Sequence, residues 1–423
     1  MIRRVLSTLL AATALTALAF VQAQTTIEFW MTGDETKTPA VRQIVDQYNR
    51  DNPDVTVNFR DFPNEPYKTA IQVALASPTP PDIFHNWAGD STREWVTDGQ
   101  IIDLTAYAEQ DGWGESLSRA SVEAFRLNGN LYGAPYSQET KYFFYNEALF
   151  ADEGLTPPAT FTELLELCGT LQERGHIPIA FGNSERWPGV HYLSIFNQKV
   201  VGEAVTERDY SLASSADELF TDPGYAEAFQ RLLDMQDAGC FNDAVNAISP
   251  EIARAMFYTE QTAMTYCGTW CVGIMEANDF GDEFALFRMP DIEDGRGNQN
   301  YVLAAPIGVQ ISSRSQHTDE AARFLEYFVS EASQRVWLDV SGRLPSHPDA
   351  VSEDIASDTV MWIVSDLATA DGTVMWLDQV LEASIANVYL NSIQEVLGGT
   401  MTPEQAAQEI RRQALTVKER LGL

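Results

Sequence analysis

The chain has 423 residues, 45% apolar, 21% charged and 11% aromatic, which is too long for one compact core and predicts about two domains. The apolar content excludes a mostly disordered chain, and 26 Gly and 19 Pro without a repeat period exclude a collagenous or low-complexity one. With 61 acidic against 27 basic residues the formal charge is −34. Such a surface repels phosphate backbones and anionic lipid, which argues against nucleic-acid or membrane-surface binding. The charge reads as solubility or a salty habitat before it reads as steering of a cationic ligand.

In chain order, the first element is a targeting segment. Arg3 and Arg4 precede an apolar run from Leu9 to Val21, and Val21-Gln22-Ala23 offers small side chains at the −3 and −1 positions of a signal-peptidase cut. Cleavage after Ala23 and export are therefore expected. The first Cys is Cys168, so no lipid anchor follows the apolar run and the expected container is a periplasm. In that oxidising compartment Cys168, Cys240, Cys267 and Cys271 are expected in disulfides, with three full pairings open.

Thr25 to Met31 reads as a buried strand, Thr38 to Asn49 as an amphipathic helix, and Val55 to Phe59 as a second strand. Tyr67 to Ala76 is a second helix, stopped by prolines, and Asp82 to Phe84 a third strand. This β-α-β-α-β opening implies an open, largely parallel sheet with ligands beyond the C-terminal strand ends, at Trp30 to Glu35 and His85 to Asp90. A second α/β unit starts near residue 140, with strands at Lys141 to Tyr145, Ile177 to Phe181 and Thr262 to Tyr266 and helices from Phe161, Tyr225 and Pro250. The alternation from Asn300 to Ser312 suggests a return to the first sheet, and Thr318 to Val340 and three later stretches read as helical.

Certain segments then occur in a fixed order. They are Ile27-Glu-Phe-Trp-Met31, Gln47-Tyr-Asn-Arg-Asp-Asn-Pro-Asp54, Pro80-Pro-Asp-Ile-Phe84, Asn128-Gly-Asn-Leu-Tyr-Gly-Ala-Pro-Tyr136, Tyr145-Asn-Glu-Ala-Leu-Phe150, Glu260-Gln-Thr-Ala-Met-Thr265 and Gly268-Thr-Trp270, with Gly308 to Ser312 ahead of Ala321-Ala-Arg-Phe-Leu325. In this series the mature chain resembles the family 1 extracellular solute-binding proteins of ABC importers, the group that includes maltose-binding protein. The resemblance implies an α/β, two-lobe periplasmic binding protein fold (type II) with discontinuous lobes. Residues 24–134 plus 300–343 would form lobe 1 and 138–295 plus 348–423 lobe 2, with hinge crossings near 135–137, 296–299 and 344–347. It also implies a carbohydrate in the cleft, a monomer without cofactor, and delivery to the membrane subunits of an ABC permease.

A sugar site needs flat aromatic faces for the C–H faces of pyranose rings and planar polar groups for the hydroxyls; carboxylates are the strongest acceptors. Both kinds of group meet at Trp30 with Asp34 and Glu35, at Trp87 and Asp90, at Tyr136 and Glu139, at Glu185, Arg186 and Trp187, at Trp270, and at Trp376 with Asp378 on a late helix. The resemblance places most of these neighbourhoods at cleft positions. One departure is visible: where maltose-binding protein has an Asp-Lys pair after the first strand, this chain has Asp34-Glu35, so maltodextrin specificity does not carry across. Trp113, Trp337 and Trp362 read as packing and Asp82 as a structural turn residue.

Two other classes compete. An exported glycoside hydrolase needs paired carboxylates, but among 61 acidic residues a pair can always be chosen, and no Gly-x-Ser-x-Gly, His-Glu-x-x-His or P-loop is present. The same two-lobe fold could instead take a polyamine or metal ion, which the charge permits. The Trp- and Tyr-bearing strand ends fit a polyhydroxylated ring better, and the five scattered histidines give no metal constellation.

Overall fold

The computed structural model of the chain describes residues 24–281 and 283–423; the signal-peptide reading of residues 1–23 lies outside them. In β1 (Thr25–Thr32), Ile27, Phe29 and Met31 are buried on one face. The helix Lys37–Asp51 covers the same core with Val41, Ile44, Val45 and Tyr48. The remaining strands are β2 (Val55–Phe62), β3 (Ile83–Trp87), β4 (Arg126–Leu127), β5 (Asn130–Leu131), β6 (Ala134–Asn146), β7 (Ile177–Ala180), β8 (Thr262–Gly268), β9 (Phe284–Phe287), β10 (Tyr301–Ile311) and β11 (Gly372–Val374).

Nine strands form one sheet whose main path runs β2-β1-β3-β10-β6-β8-β7, with β11 beside β10 and β9 beside β6. The β1 pairings with β2 and β3 are parallel, as the opening pattern implies. β10 returns antiparallel to β3, which is the return expected for Asn300 to Ser312. Two long strands then cross between two α/β halves. β6 pairs with β10 through Ala134–Thr140 and with β8 and β9 through Lys141–Asn146. β10 pairs with β11 through Tyr301–Leu303 and reaches β3 from Ile307 onward. A third connection runs beside β6, where Gln138 N–H donates to Leu344 O (3.1 Å) and Ser346 N–H to Tyr136 O (3.2 Å).

The strand expected at Lys141 to Tyr145 is thus the second half of the 13-residue β6. Thr318 to Val340 is two helices, Thr318–Val329 and Glu331–Ser341, because Ser330 turns extended and its hydroxyl caps the second at Ser333 N–H. Trp376 is not on a helix. It lies extended between β11 and the short helix Leu377–Val380, pinned by the Ser194 hydroxyl accepting from Leu377 N–H (3.0 Å).

Tertiary packing selects one of the three cysteine pairings, Cys168–Cys240 and Cys267–Cys271. Asp82 acts structurally, accepting from Glu28 N–H (2.8 Å) and the Ser315 hydroxyl (2.5 Å). Trp113 and Trp337 are core residues, whereas Trp362 is 40% exposed with its ring edge on Tyr142. Among the described residues no helix is long and apolar enough to cross a membrane.

Candidate ligand-binding cleft

The strand ends and crossings enclose a cleft with two chambers of about 420 and 210 Å³, within the size range of small-molecule sites. Both chambers are lined by Lys68, Trp87, Glu185, Trp187, Asp378 and Gln379, so they meet at a shared waist.

The floor of the larger chamber is ionic. After β1 the chain turns on Asp34, whose Oδ1 accepts from the backbone N–H groups of Thr36 (3.0 Å) and Lys37 (2.8 Å), while Oδ2 accepts from Arg343 Nη2. Burial alone would raise this carboxyl, but the Arg343 guanidinium and the Lys37 and Thr36 donors outweigh it and hold it well below the usual carboxylate range. Arg343 Nη1 also lies 3.6 Å from Glu139 Oε1, and Glu139 Oε2 accepts from the Thr269 hydroxyl (2.7 Å). This buried chain therefore joins the loop after β1, the crossing at Arg343, β6 and the turn after β8. Lys37 sits beside it with Nζ donating to Thr32 Oγ1 (2.6 Å). Burial, helped by the nearby Arg343 charge, brings the Lys37 ammonium from 10.5 down to about 7, against the opposing pull of Asp34 and Glu139.

One wall is aromatic. Trp187 opens the helix Trp187–Val201, and Trp270 opens Trp270–Ala277 directly after β8. Their rings lie 6.0 Å apart, and Trp270 meets Trp376 edge-on at 6.0 Å and 86°. His191 stacks on Trp376 at 4.8 Å and 24°. Behind it Lys141 Nζ donates to His191 Nδ1 (2.9 Å), and burial pushes both groups well below their ordinary pKa values. Across the cleft, Trp87 ends β3 and stands edge-on to His85 at 4.5 Å.

The polar groups around the waist are less fully matched. Glu185 Oε2 accepts from Trp187 Nε1 (2.8 Å), and burial raises the Glu185 carboxyl. Burial also raises Asp378, whose Oδ2 accepts from Gln379. Among the described residues Asp378 Oδ1, Trp376 Nε1 and His85 Nε2 are buried without a hydrogen-bond partner, the condition of groups that a bound ligand satisfies.

Of the residues singled out from the sequence, Asp34, Glu35, Trp87, Glu139, Glu185, Trp187, Trp270, Trp376 and Asp378 line the larger chamber, and Asp90 and Arg186 the smaller one. Asp90 is tied to Arg93 (2.7 Å), and Arg186 donates to Asn391 (2.9 Å). Two are not brought to the cleft lining. Trp30 points to the opposite face of β1 from Phe29 and packs on Phe62 under Arg60. Tyr136 is 1% exposed, wedged against Trp337, and reaches the cleft only by holding His85 Nδ1 at 3.0 Å. Residues that sequence reasoning left out include Lys37, Lys68, His191 and Arg254. His85 lay in a strand end expected to face a ligand and Arg343 beside an expected crossing, but neither was given a role. The ionic pairing of Arg343 with Asp34, 309 residues away, had no signal in the sequence. Among the described residues no group of three or more His, Cys, Asp or Glu side chains is placed to hold a metal ion.

Known proteins share this plan. The chain is 25% identical to a multiple sugar-binding protein of Streptococcus mutans serotype c, over 80% of this chain and 79% of that protein. A structure from work on xylan utilisation by Caldanaerobius polysaccharolyticus superimposes with TM-score 0.85 at 26% identity, covering 92% of this chain and 99% of that one. A chitin oligosaccharide binding protein matches with TM-score 0.84 at 22% identity, covering 92% and 98%. Residues 32–335 match the family of bacterial extracellular solute-binding proteins, and with the two-lobe fold and its cleft already described, the chain belongs to that family.

Proposed function

We propose that this protein is the substrate-binding component of an ABC importer and captures a sugar or oligosaccharide in the cleft for delivery to a membrane permease. The observation that carries the reading is that Trp87, Trp187, Trp270 and Trp376 line one chamber together with Glu185 and Asp378. Indole faces cover the apolar faces of sugar rings, and the carboxylates take hydroxyl donors. The sugar-binding name of the Streptococcus relative supports the same ligand class.

The lobes are 24–134 plus 300–343 and 138–295 plus 348–423; the crossing of β6 from β10 to β8 supports this division, whereas Tyr301–Leu303 still pair with β11 of the second lobe and move that crossing into β10. A ligand touching both lobes favours the closed arrangement by its differential contacts. The ligand-binding set is the eleven sequence-identified residues that line the two chambers, with His85 and Lys68 added. The protein acts as a monomer, is exported with cleavage after Ala23 into the periplasm, and carries out no catalysis.

The test is a thermal-shift titration of residues 24–423 with raffinose, maltotriose, and xylo- and chito-oligosaccharides, with polyamines and divalent cations alongside. A rise in midpoint with one sugar class and no turnover is expected. A response to a polyamine or a divalent cation alone overturns the sugar assignment and leaves the fold.

A further inference from the structure

The two disulfides differ in what they enclose. Cys168–Cys240 ties chain positions 72 residues apart, whereas Cys267–Cys271 closes a turn of sequence separation 4. A loop that short lies at the weak end of stabilisation through unfolded-chain entropy, so its effect is sought in what the turn holds.

The enclosed residues are Gly268, Thr269 and Trp270. Thr269 is fastened to β6 in three ways. Its N–H donates to Thr140 O (2.8 Å), its hydroxyl accepts from Thr140 N–H (3.2 Å), and the same hydroxyl donates to Glu139 (2.7 Å). Trp270 folds back over Gly268, where an added Cβ would stand 1.9 Å from the indole ring, and its ring then meets Trp187 and Trp376. Cys267 and Cys271 themselves are buried in the same apolar cluster as Val272, Met275 and Leu344, and neither lines the cleft.

We infer that Cys267–Cys271 is a positioning element of the ligand site: it clamps the turn so that Trp270 is held on the aromatic wall while Thr269 anchors the end of the Asp34–Arg343–Glu139 chain. The ligand side of this inference rests on the sugar reading above; the conformational side does not.

The test is hydrogen exchange of the ligand-free protein, comparing wild type with Cys267→Ser/Cys271→Ser. Peptides covering 139–141 and 268–272 are expected to exchange at least about tenfold faster, with peptides around Cys168 and Cys240 unchanged. Gly268→Ala keeps the disulfide but displaces the indole, and both it and the double variant are expected to lose at least about tenfold in affinity for whichever panel sugar wild type binds. Unchanged exchange in the double variant overturns the inference, as does failure to fold or loss of protection along the whole chain, since the disulfide is then idle or a general brace. Wild-type sugar affinity in the double variant overturns the ligand side. If no panel sugar binds wild type, the exchange result alone decides and the sugar assignment fails separately.

Discussion

On the cleft floor, Asp34 and Glu139 share the Arg343 guanidinium, Glu139 also accepts from Thr269, and Arg343 Nε is left without a partner. On the wall, Trp187, Trp270 and Trp376 meet chiefly one another and His191, and Trp376 Nε1 and Asp378 Oδ1 are left without partners. The difference teaches where rigidity and recognition reside. Carboxylates already engaged by Arg343 have less to offer an incoming neutral solute, but the pairing ties the crossing at Arg343 to the loop after β1 and to β6. The wall presents apolar faces and unmatched polar atoms, which is what a ligand can complete.

The largest effect that separates the two regions is on folding. Arg343→Ala leaves two carboxylates without their cation, and a loss of about 3 to 5 kcal/mol in urea unfolding is expected. A loss under about 1 kcal/mol, the size of an exposed pair, would break the distinction. The wall has the converse signature. Trp270→Ala or Trp187→Ala is expected to weaken sugar binding about thirtyfold, the cost of removing an aromatic anchor, with the urea midpoint changing far less than for Arg343→Ala. Wild-type affinity in both would remove them from the site.

Closure sharpens the comparison from a third side. Gly89, at φ +140, lies against Gln379, and an added Cβ would come within 2.2 Å of the Gln379 carbonyl oxygen. Gly89→Ala is expected to hold the two sides apart, lowering sugar affinity about tenfold and enlarging the radius of gyration measured with ligand present. A ligand-bound radius equal to wild type would show that this approach does not gate closure.

The floor also carries a pH slope. Lys37 titrates near 7 when folded against 10.5 in its ordinary state. Between those values the unfolded chain binds more protons, so stability rises with pH. The cost of the buried ammonium is fully present below pH 7 and is relieved as pH climbs toward 10.5. The thermal midpoint of wild type relative to Lys37→Met is therefore expected to rise across that window. A flat difference would mean that Asp34 and Glu139 keep Lys37 charged.

Local pattern made much of this legible. Ile27, Phe29 and Met31 alternate, and Val41, Ile44, Val45 and Tyr48 recur at helical spacing; both periods depend only on near neighbours, so strand, helix and the parallel opening followed. Trp87 and Trp270 could be placed on the cleft lining because strand ends in such sheets open onto the crevice. The same alternation could have removed Trp30, which shares neither the face nor the surroundings of Phe29.

Other features depend on residues far apart in sequence. Tyr136 occupies a crossing strand covered on both faces, and its distance from the cleft lining is set by Trp337 and His85 packing around it. Among 61 acidic residues, composition could not mark Asp34 and Glu139 as the two that share Arg343, or Asp378 as a cleft carboxylate with an unmatched oxygen. By itself the sequence determined the elements, their order and the aromatic strand ends, because these follow from short-range periodicity. Only the tertiary structure decided the disulfide pairing, the ion-locked floor and the composition of the cleft, because each brings together groups whose contact is set by how the two halves of the sheet are joined.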